Sequence, residues 1–155
     1  MKLVEQRIFI AASPMQVYEL LTDAQLFVEW MAPYAELDPR PGGELTWTHL
    51  NGDSVVGQFV ELVPARRVVF TYGWDRADVR IPPGSTTVEI DLLPLAGGTE
   101  LHLVHRGLAG PKADAHRGGW ANYLDRLAAR AEGRDPGPDR LAGERVPRAR
   151  DLRLQ

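Results

Sequence analysis

Residues 112–132 carry the one long amphipathic pattern of this 155-residue chain, and that pattern constrains the fold more than any other feature. The apolar positions recur 3, 4, 7, 8 and 11 residues after the first and form one helix face, made of Trp120, Tyr123, Leu124, Leu127, Ala128 and Ala131. Gly133 follows as a C-terminal stop signal. A helix with a single apolar face must bury it against another layer, so the rest of the chain has to supply that layer.

The segments before this helix alternate between apolar and polar residues, as half-buried strands do. Strands are predicted at 3–11, 44–50, 54–63, 68–74, 85–93 and 99–106, and the count is open by one. Asn51-Gly52-Asp53 and Ala96-Gly97-Gly98 predict hairpin turns between strands. Two short helices are predicted after the first strand, at 14–21 and 24–30, the first opened by a capping box of Ser13 and Gln16 with Pro14 at its first position.

These elements predict an α+β fold in which a curved six- to seven-stranded antiparallel sheet wraps around the long C-terminal helix. A sheet that curves around a helix leaves space between the layers, and we expect this space to form a pocket. Residues 1–133 are predicted to be this domain. Residues 134–155 hold six Arg and three Pro and are predicted to be a C-terminal tail outside the core. A strand added through 151–155 is the alternative.

Composition excludes several classes of protein. The chain has no Cys, which excludes disulfides and thiolate catalysis. A net charge of −3 gives no basic footprint, so we expect no nucleic-acid partner. No apolar run approaches the roughly 18 to 20 residues of a membrane span, and charges near the start do not fit a signal peptide. We therefore expect a cytoplasmic protein with no membrane partner.

Aromatic residues on the predicted inner faces mark the candidate binding site. Strand parity, the helix face and, for two tryptophans, positions near element ends at the expected pocket mouth predict seven ligand-binding residues. They are Trp47, Phe59, Tyr72 and His105 by parity, Trp120 on the helix, and Trp30 and Trp74 at the mouth. Core packing is the alternative for each tryptophan taken singly. Four indoles still favour a partly polar pocket, because a buried indole N–H needs a hydrogen-bond acceptor.

Five polar residues have expectations of their own. His105 shares parity with the inner-facing leucines of its strand and is either a general base or a structural histidine. His49 is expected near the pocket rim and His116 at its entrance, whereas His102 falls on the opposite face. Glu61 is either an inward-facing carboxylate or a solvated strand residue.

The motifs of metal and nucleotide chemistry are absent from the sequence. There is no HExxH pair, no GxSxG elbow, and no GxGxxG or Walker loop. We therefore expect no metal and no cofactor, and we assign no catalytic residue.

A set of short motifs stands in fixed order over about residues 3–132. The motifs are Ala12-Ser13-Pro14 with Val17-Tyr18, Glu29-Trp30, DPRPGG at 38–43, the run from Val63 to Tyr72, Gly97-Gly98-Thr99, His105 to Leu108, and Gly119-Trp120 with Leu124. Together they resemble the helix-grip (START-like, SRPBCC) superfamily and, within it, the bacterial homologues of the activator of heat-shock-protein-90 ATPase (the AHSA-type domain). Val63-Pro64-Ala65 departs from the double proline more usual there, and the tail lies outside the family domain.

The resemblance and the pocket together give three functional hypotheses. The first is a binding protein for a small apolar or amphipathic molecule that carries out no reaction. The second is an enzyme of the cyclase, dehydratase or hydrolase kind that uses His105 or Glu61 as acid or base. The third is a chaperone-partner role, which the family name implies. A homodimer is a possible assembly.

Overall fold

Residues 2–152 are described by the computed structural model, in which seven antiparallel strands form one curved sheet around a long helix. The elements are β1 (Lys2–Ile10), α1 (Pro14–Thr22), α2 (Ala24–Phe27), β2 (Tyr34–Leu37), β3 (Glu44–Thr48), β4 (Ser54–Val63), β5 (Arg67–Tyr72), β6 (Thr86–Leu95), β7 (Gly98–Leu108), α3 (Gly110–Ala131) and α4 (Ala149–Leu152). A 3₁₀ turn at Ala77–Val79 lies between β5 and β6. The strand order is β1-β7-β6-β5-β4-β3-β2. The predicted α+β, helix-grip architecture is confirmed.

Helix α3 packs its predicted apolar face against the concave side of the sheet. Leu124 and Leu127 on the helix are fully buried, as are Leu101 and Leu103 on β7.

The predicted capping box is present at the start of α1. The Gln16 backbone N–H donates to Ser13 Oγ at 3.2 Å, and the Ser13 N–H donates to Gln16 Oε1 at 2.9 Å.

Two boundaries near residue 30 differ from the prediction. Helix α2 ends at Phe27 rather than at residue 30, and β2 is a strand that the sequence pattern did not predict. Strand β2 has only four residues, lies at the edge of the sheet, and leaves Tyr34 64% exposed. A short edge strand with little buried surface has too few apolar positions to give a period-2 signal.

The C-terminal segment, residues 134–152, docks on the domain, so the expectation that it lies apart from the core is wrong for these residues. Its Ala149 and Leu152 are 5% and 4% exposed. The buried carboxylate of Asp53 accepts hydrogen bonds from the Val146 N–H at 3.0 Å and from Arg145. Residues 149–152 form helix α4 rather than a strand. The remainder of the alternative strand, residues 153–155, lies outside the described residues.

Within residues 2–152, no helix combines the length and the apolar character needed to cross a membrane.

Candidate functional site

A cavity of about 400 Å³ lies between α3 and the concave face of the sheet. Its aromatic wall is formed by Trp47 of β3, Tyr72 of β5, Trp74 just after β5, and Trp120 of α3. The adjacent Gly118 and Gly119 of α3 line it as well. The opposite wall belongs to the C-terminal segment and consists of Arg140, Leu141, Glu144, Arg145 and Val146.

Four of the seven predicted site residues line this cavity, and three do not. Trp30 is 1% exposed and its indole N–H donates to the carbonyl oxygen of Leu20 at 2.8 Å, so it belongs to the core beside α1. Phe59 packs against Phe70, with ring centroids 6.4 Å apart. His105 is fully buried and contacts Trp120 rather than the cavity. The ligand-binding role of all seven stays a prediction.

His105 fixes the indole ring of Trp120 through a hydrogen bond. Its Nδ1 accepts the indole N–H of Trp120 at 3.0 Å, so in the neutral ring Nε2 carries the hydrogen and donates to Thr86 Oγ1 at 2.8 Å. The Thr86 hydroxyl donates in turn to the carbonyl oxygen of Tyr72 at 2.7 Å. Burial, with a smaller effect of nearby His116, lowers the pKa of His105 to about 3. With its lone pair occupied, this imidazole is poorly suited to act as a general base.

Both ring nitrogens of His116 are also engaged in hydrogen bonds. The indole N–H of Trp74 donates to His116 Nε2 at 3.0 Å. Nδ1 therefore carries the hydrogen and donates to the carbonyl oxygen of Lys112 at 2.7 Å. Burial lowers the pKa of His116. His116 lines the cavity, as the sequence predicted, but it presents no free lone pair there.

His49 is connected to the C-terminal segment through a tyrosine. The hydroxyl of Tyr123 donates to Asp139 Oδ2 at 2.7 Å, and His49 Nδ1 lies 3.3 Å from the same hydroxyl oxygen. Burial lowers the pKa of His49, and the charges of Asp139 and Asp53 offset part of that effect. Burial and the Asp139 carboxylate raise the pKa of Tyr123. The predicted position of His49 near the cavity is confirmed.

The indole N–H of Trp47 is the exception among the four tryptophans. Trp47 is 3% exposed, and within residues 2–152 its Nε1 has no hydrogen-bond partner. Its neighbours are aromatic rings, with the centroid of Phe27 at 5.2 Å and those of Phe70 and Tyr72 at 6.0 and 5.9 Å. A buried N–H therefore lacks an acceptor in a residue that lines the cavity.

Glu61 is solvated rather than inward-facing, the second of the two alternatives. Its side chain is 51% exposed and pairs with Arg67. The cause is a register shift in the pairing of β4 with β5, where Phe59 opposes Phe70 and Glu61 opposes Val69. The extra residue reverses the alternation of faces in the second half of β4.

Among the described residues, no group of three or more His, Asp or Glu side chains is arranged to hold a metal ion.

The chain is similar to known proteins over most of its length. Residues 11–132 match the family model described as "Activator of Hsp90 ATPase homolog 1-like protein". The chain belongs to this family. A curated relative, the human "Activator of 90 kDa heat shock protein ATPase homolog 1", is 28% identical over 112 residues, which are 72% of this chain and 31% of the relative. The chain thus spans about a third of the length of that relative.

Two solved structures extend the comparison. The AHSA1-like protein from Rhizobium etli is 39% identical, with a TM-score of 0.68 over 94% of this chain and 91% of that one. The Aha1 dimer from Colwellia psychrerythraea is 20% identical, with a TM-score of 0.73 over 85% and 97% of the two chains, and supports the fold alone. The family match ends at residue 132, before the segment that forms the second wall of the cavity.

Sequence reasoning missed that second wall. Apolar residues within 140–146 follow neither the helical nor the strand spacing. The contact between Asp53 and Arg145 joins positions 92 residues apart in the chain. The composition of residues 134–155, with six Arg against four acids, predicted the polarity of this part of the chain but not its partners.

Proposed function

We propose that the cavity between α3 and the sheet binds a small, planar, amphipathic molecule. The observation that carries this proposal is the aromatic wall of a cavity of about 400 Å³, to which Trp47 belongs, a residue whose buried indole N–H has no acceptor among the described residues. A buried donor left unpaired costs about 1 to 3 kcal/mol. An acceptor atom on a bound molecule that reaches this N–H would remove that cost.

The shape of the wall supports a flat ligand. Trp47, Tyr72, Trp74 and Trp120 offer aromatic surfaces, and such rings pack favourably on other planar groups. Sites of this kind bind mainly through apolar contact and use a few polar groups to fix orientation. Trp47 would supply one such polar contact.

The catalytic alternative has less support. The lone pairs of His105 and His116 are taken up by indole N–H groups, and Glu61 faces solvent. A general base must be able to reach the proton that it removes.

Calorimetric titration with 2,6-dimethoxynaphthalene, a planar molecule with acceptor oxygens and no donor, tests the proposal. We expect saturable binding to the wild-type protein, weakened about two- to tenfold in Trp47→Phe, the range that a single hydrogen bond contributes. Trp30→Phe makes the same change outside the cavity and should retain the wild-type affinity. No saturable binding by the wild type, or an equal loss in both variants, would refute the proposal.

A second candidate is the partner of an Hsp90-class ATPase, favoured by the family match and by the name of the human relative. Addition of the protein to a purified Hsp90 ATPase should then raise the rate of ATP turnover, with serum albumin as the inert control. An unchanged rate at saturating concentration would reject this candidate. The homodimer and the cytoplasmic location stay predictions.

A further inference from the structure

We infer that the ring nitrogen Nε2 of His49 accepts a hydrogen bond from a hydroxyl group of the bound molecule, so that the ligand is a hydroxylated aromatic compound of the phenol or naphthol type. This inference rests on the proposed function and deepens it.

The hydrogen bonds around Tyr123 have a fixed direction. The Asp139 carboxylate can only accept, so the single hydroxyl hydrogen of Tyr123 points to Asp139 Oδ2, at 2.7 Å. The hydroxyl oxygen can then only accept from His49 Nδ1, at 3.3 Å. A neutral imidazole carries one hydrogen, and here it is on Nδ1, which leaves a bare lone pair on Nε2.

The Nε2 lone pair of His49 is available to a bound molecule. His49 is 9% exposed and lines the cavity, with its ring 6.1 Å from that of Trp74 and 5.4 Å from that of Tyr123. Within residues 2–152, the structure gives Nε2 no hydrogen-bond partner. Indole N–H groups fill the corresponding lone pairs of His105 and His116.

Hydrogen bonds hold the Asp139 carboxylate in one orientation. Its Oδ1 accepts from Asn122 Nδ2 at 3.1 Å and from the Leu141 N–H at 2.9 Å, which fixes the carboxylate with Oδ2 toward Tyr123. Asp139 lies in the C-terminal segment, beyond the family match. The position of the hydrogen on His49 is therefore set by a part of this chain that the family model does not cover.

The positions of Trp47 and His49 indicate the class of ligand. Buried positions alternate through Leu45, Trp47 and His49, so the Trp47 donor and the His49 acceptor belong to one face of the chain. Positions two residues apart on a strand are separated by about 6 to 7 Å. A fused two-ring aromatic with a hydroxyl at one end and an ether or carbonyl oxygen at the other offers one partner to each of these two residues.

Calorimetric titration with two probes tests the inference: 6-methoxy-2-naphthol, which has the hydroxyl donor, and 2,6-dimethoxynaphthalene, which lacks it. We expect the wild type to bind the naphthol about three- to tenfold more tightly. The ratio should fall to near one in His49→Phe. The matched variant His102→Phe, whose histidine pairs with Glu5 outside the cavity, should keep the wild-type ratio.

Asp139→Asn provides a second variant, which keeps the shape of the side chain. With Oδ1 still bound to Asn122 and Leu141, the amide N–H₂ would face Tyr123 and reverse the chain of hydrogen bonds. The hydrogen of His49 would then move to Nε2, and the probe ratio would fall to near one. Nitrogen-15 chemical shifts of the imidazole report this change directly, and a purely structural role for Asp139 would not produce it.

The outcomes separate the two proposals. Equal affinities of the two probes for the wild type would overturn this inference and leave the proposed function intact. Absence of binding by both probes would overturn both. Nitrogen shifts that place the hydrogen of wild-type His49 on Nε2 would also overturn the inference, whatever the affinities.

Discussion

Buried histidines in this protein stay neutral because burial penalises their charged form and because indole or hydroxyl groups fix their hydrogens. Burial lowers the pKa values of His49, His105 and His116, and that of His105 falls to about 3. A histidine in an unfolded chain titrates near pH 6.5. The unfolded state therefore binds more protons than the folded state between these two values.

The first prediction follows from this difference. The contribution of neutral His105 to the free energy of unfolding is complete above pH 6.5 and is lost progressively as the pH falls towards about 3. Urea unfolding at pH 7.5 and at pH 5.5, followed by tryptophan fluorescence, should show lower stability at pH 5.5. The difference should be smaller in His105→Gln, and an identical difference in both proteins would contradict the prediction.

Single residues also mark the limit of sequence parity as a guide to the site. Parity predicted which side chains face the helix, and Trp47, Tyr72 and Trp120 do line the cavity. Parity could not predict how far each side chain lies from the cavity. Phe59 and His105 therefore point to the expected face of the sheet but pack within the core and do not line the cavity. An inserted residue in β4 reverses the faces that follow, and a periodic pattern cannot locate such a bulge.

At the scale of elements, the C-terminal segment is attached through specific polar contacts. Asp53, with its side chain fully buried, accepts hydrogen bonds from Arg76 Nη1 at 3.1 Å, from the Val146 N–H and from Arg145. Burial by itself would raise the pKa of Asp53, but these hydrogen bonds and the two guanidinium charges lower it. The carboxylate is thus the negative centre that joins the segment to the domain.

The second prediction concerns this anchor. Asp53→Asn removes the charge that two guanidinium groups share and should lower the free energy of unfolding by about 1 to 3 kcal/mol. Calorimetry should show a lower thermal midpoint, and limited trypsin digestion should cut within 134–152 earlier than in the wild type. Asp38→Asn is the control, because that carboxylate pairs at the surface with Arg40. An unchanged midpoint and cleavage rate in Asp53→Asn would show that the segment is held by other contacts.

At the scale of the whole molecule, helix α3 and the sheet bury each other's apolar faces. The long amphipathic face, the alternating segments and the hairpin turns were enough to predict a curved antiparallel sheet of six to seven strands around α3, but not the edge strand β2. The docking of residues 134–152 could not be predicted, because its partners are distant in the chain and its contacts follow no period.

The third prediction measures this mutual dependence. Trp120 is 5% exposed and contacts both the sheet and His105, so Trp120→Ala should lower the free energy of unfolding by about 3 to 5 kcal/mol. Urea unfolding at neutral pH checks this value. A wild-type midpoint would mean that the helix is not held to the sheet through this side chain.

The adjacent glycines Gly118 and Gly119 of α3 have a consequence for how this fold could change under selection. A Cβ atom added at either position would meet nothing within 4 Å, so close packing does not require glycine there. Glycine inside a helix costs roughly 0.5 to 1 kcal/mol relative to alanine. Directed evolution for heat tolerance alone would favour alanine at both positions, and each added methyl group would take room from the cavity. At these two positions of α3, a gain in thermal stability would therefore come with a loss of cavity volume.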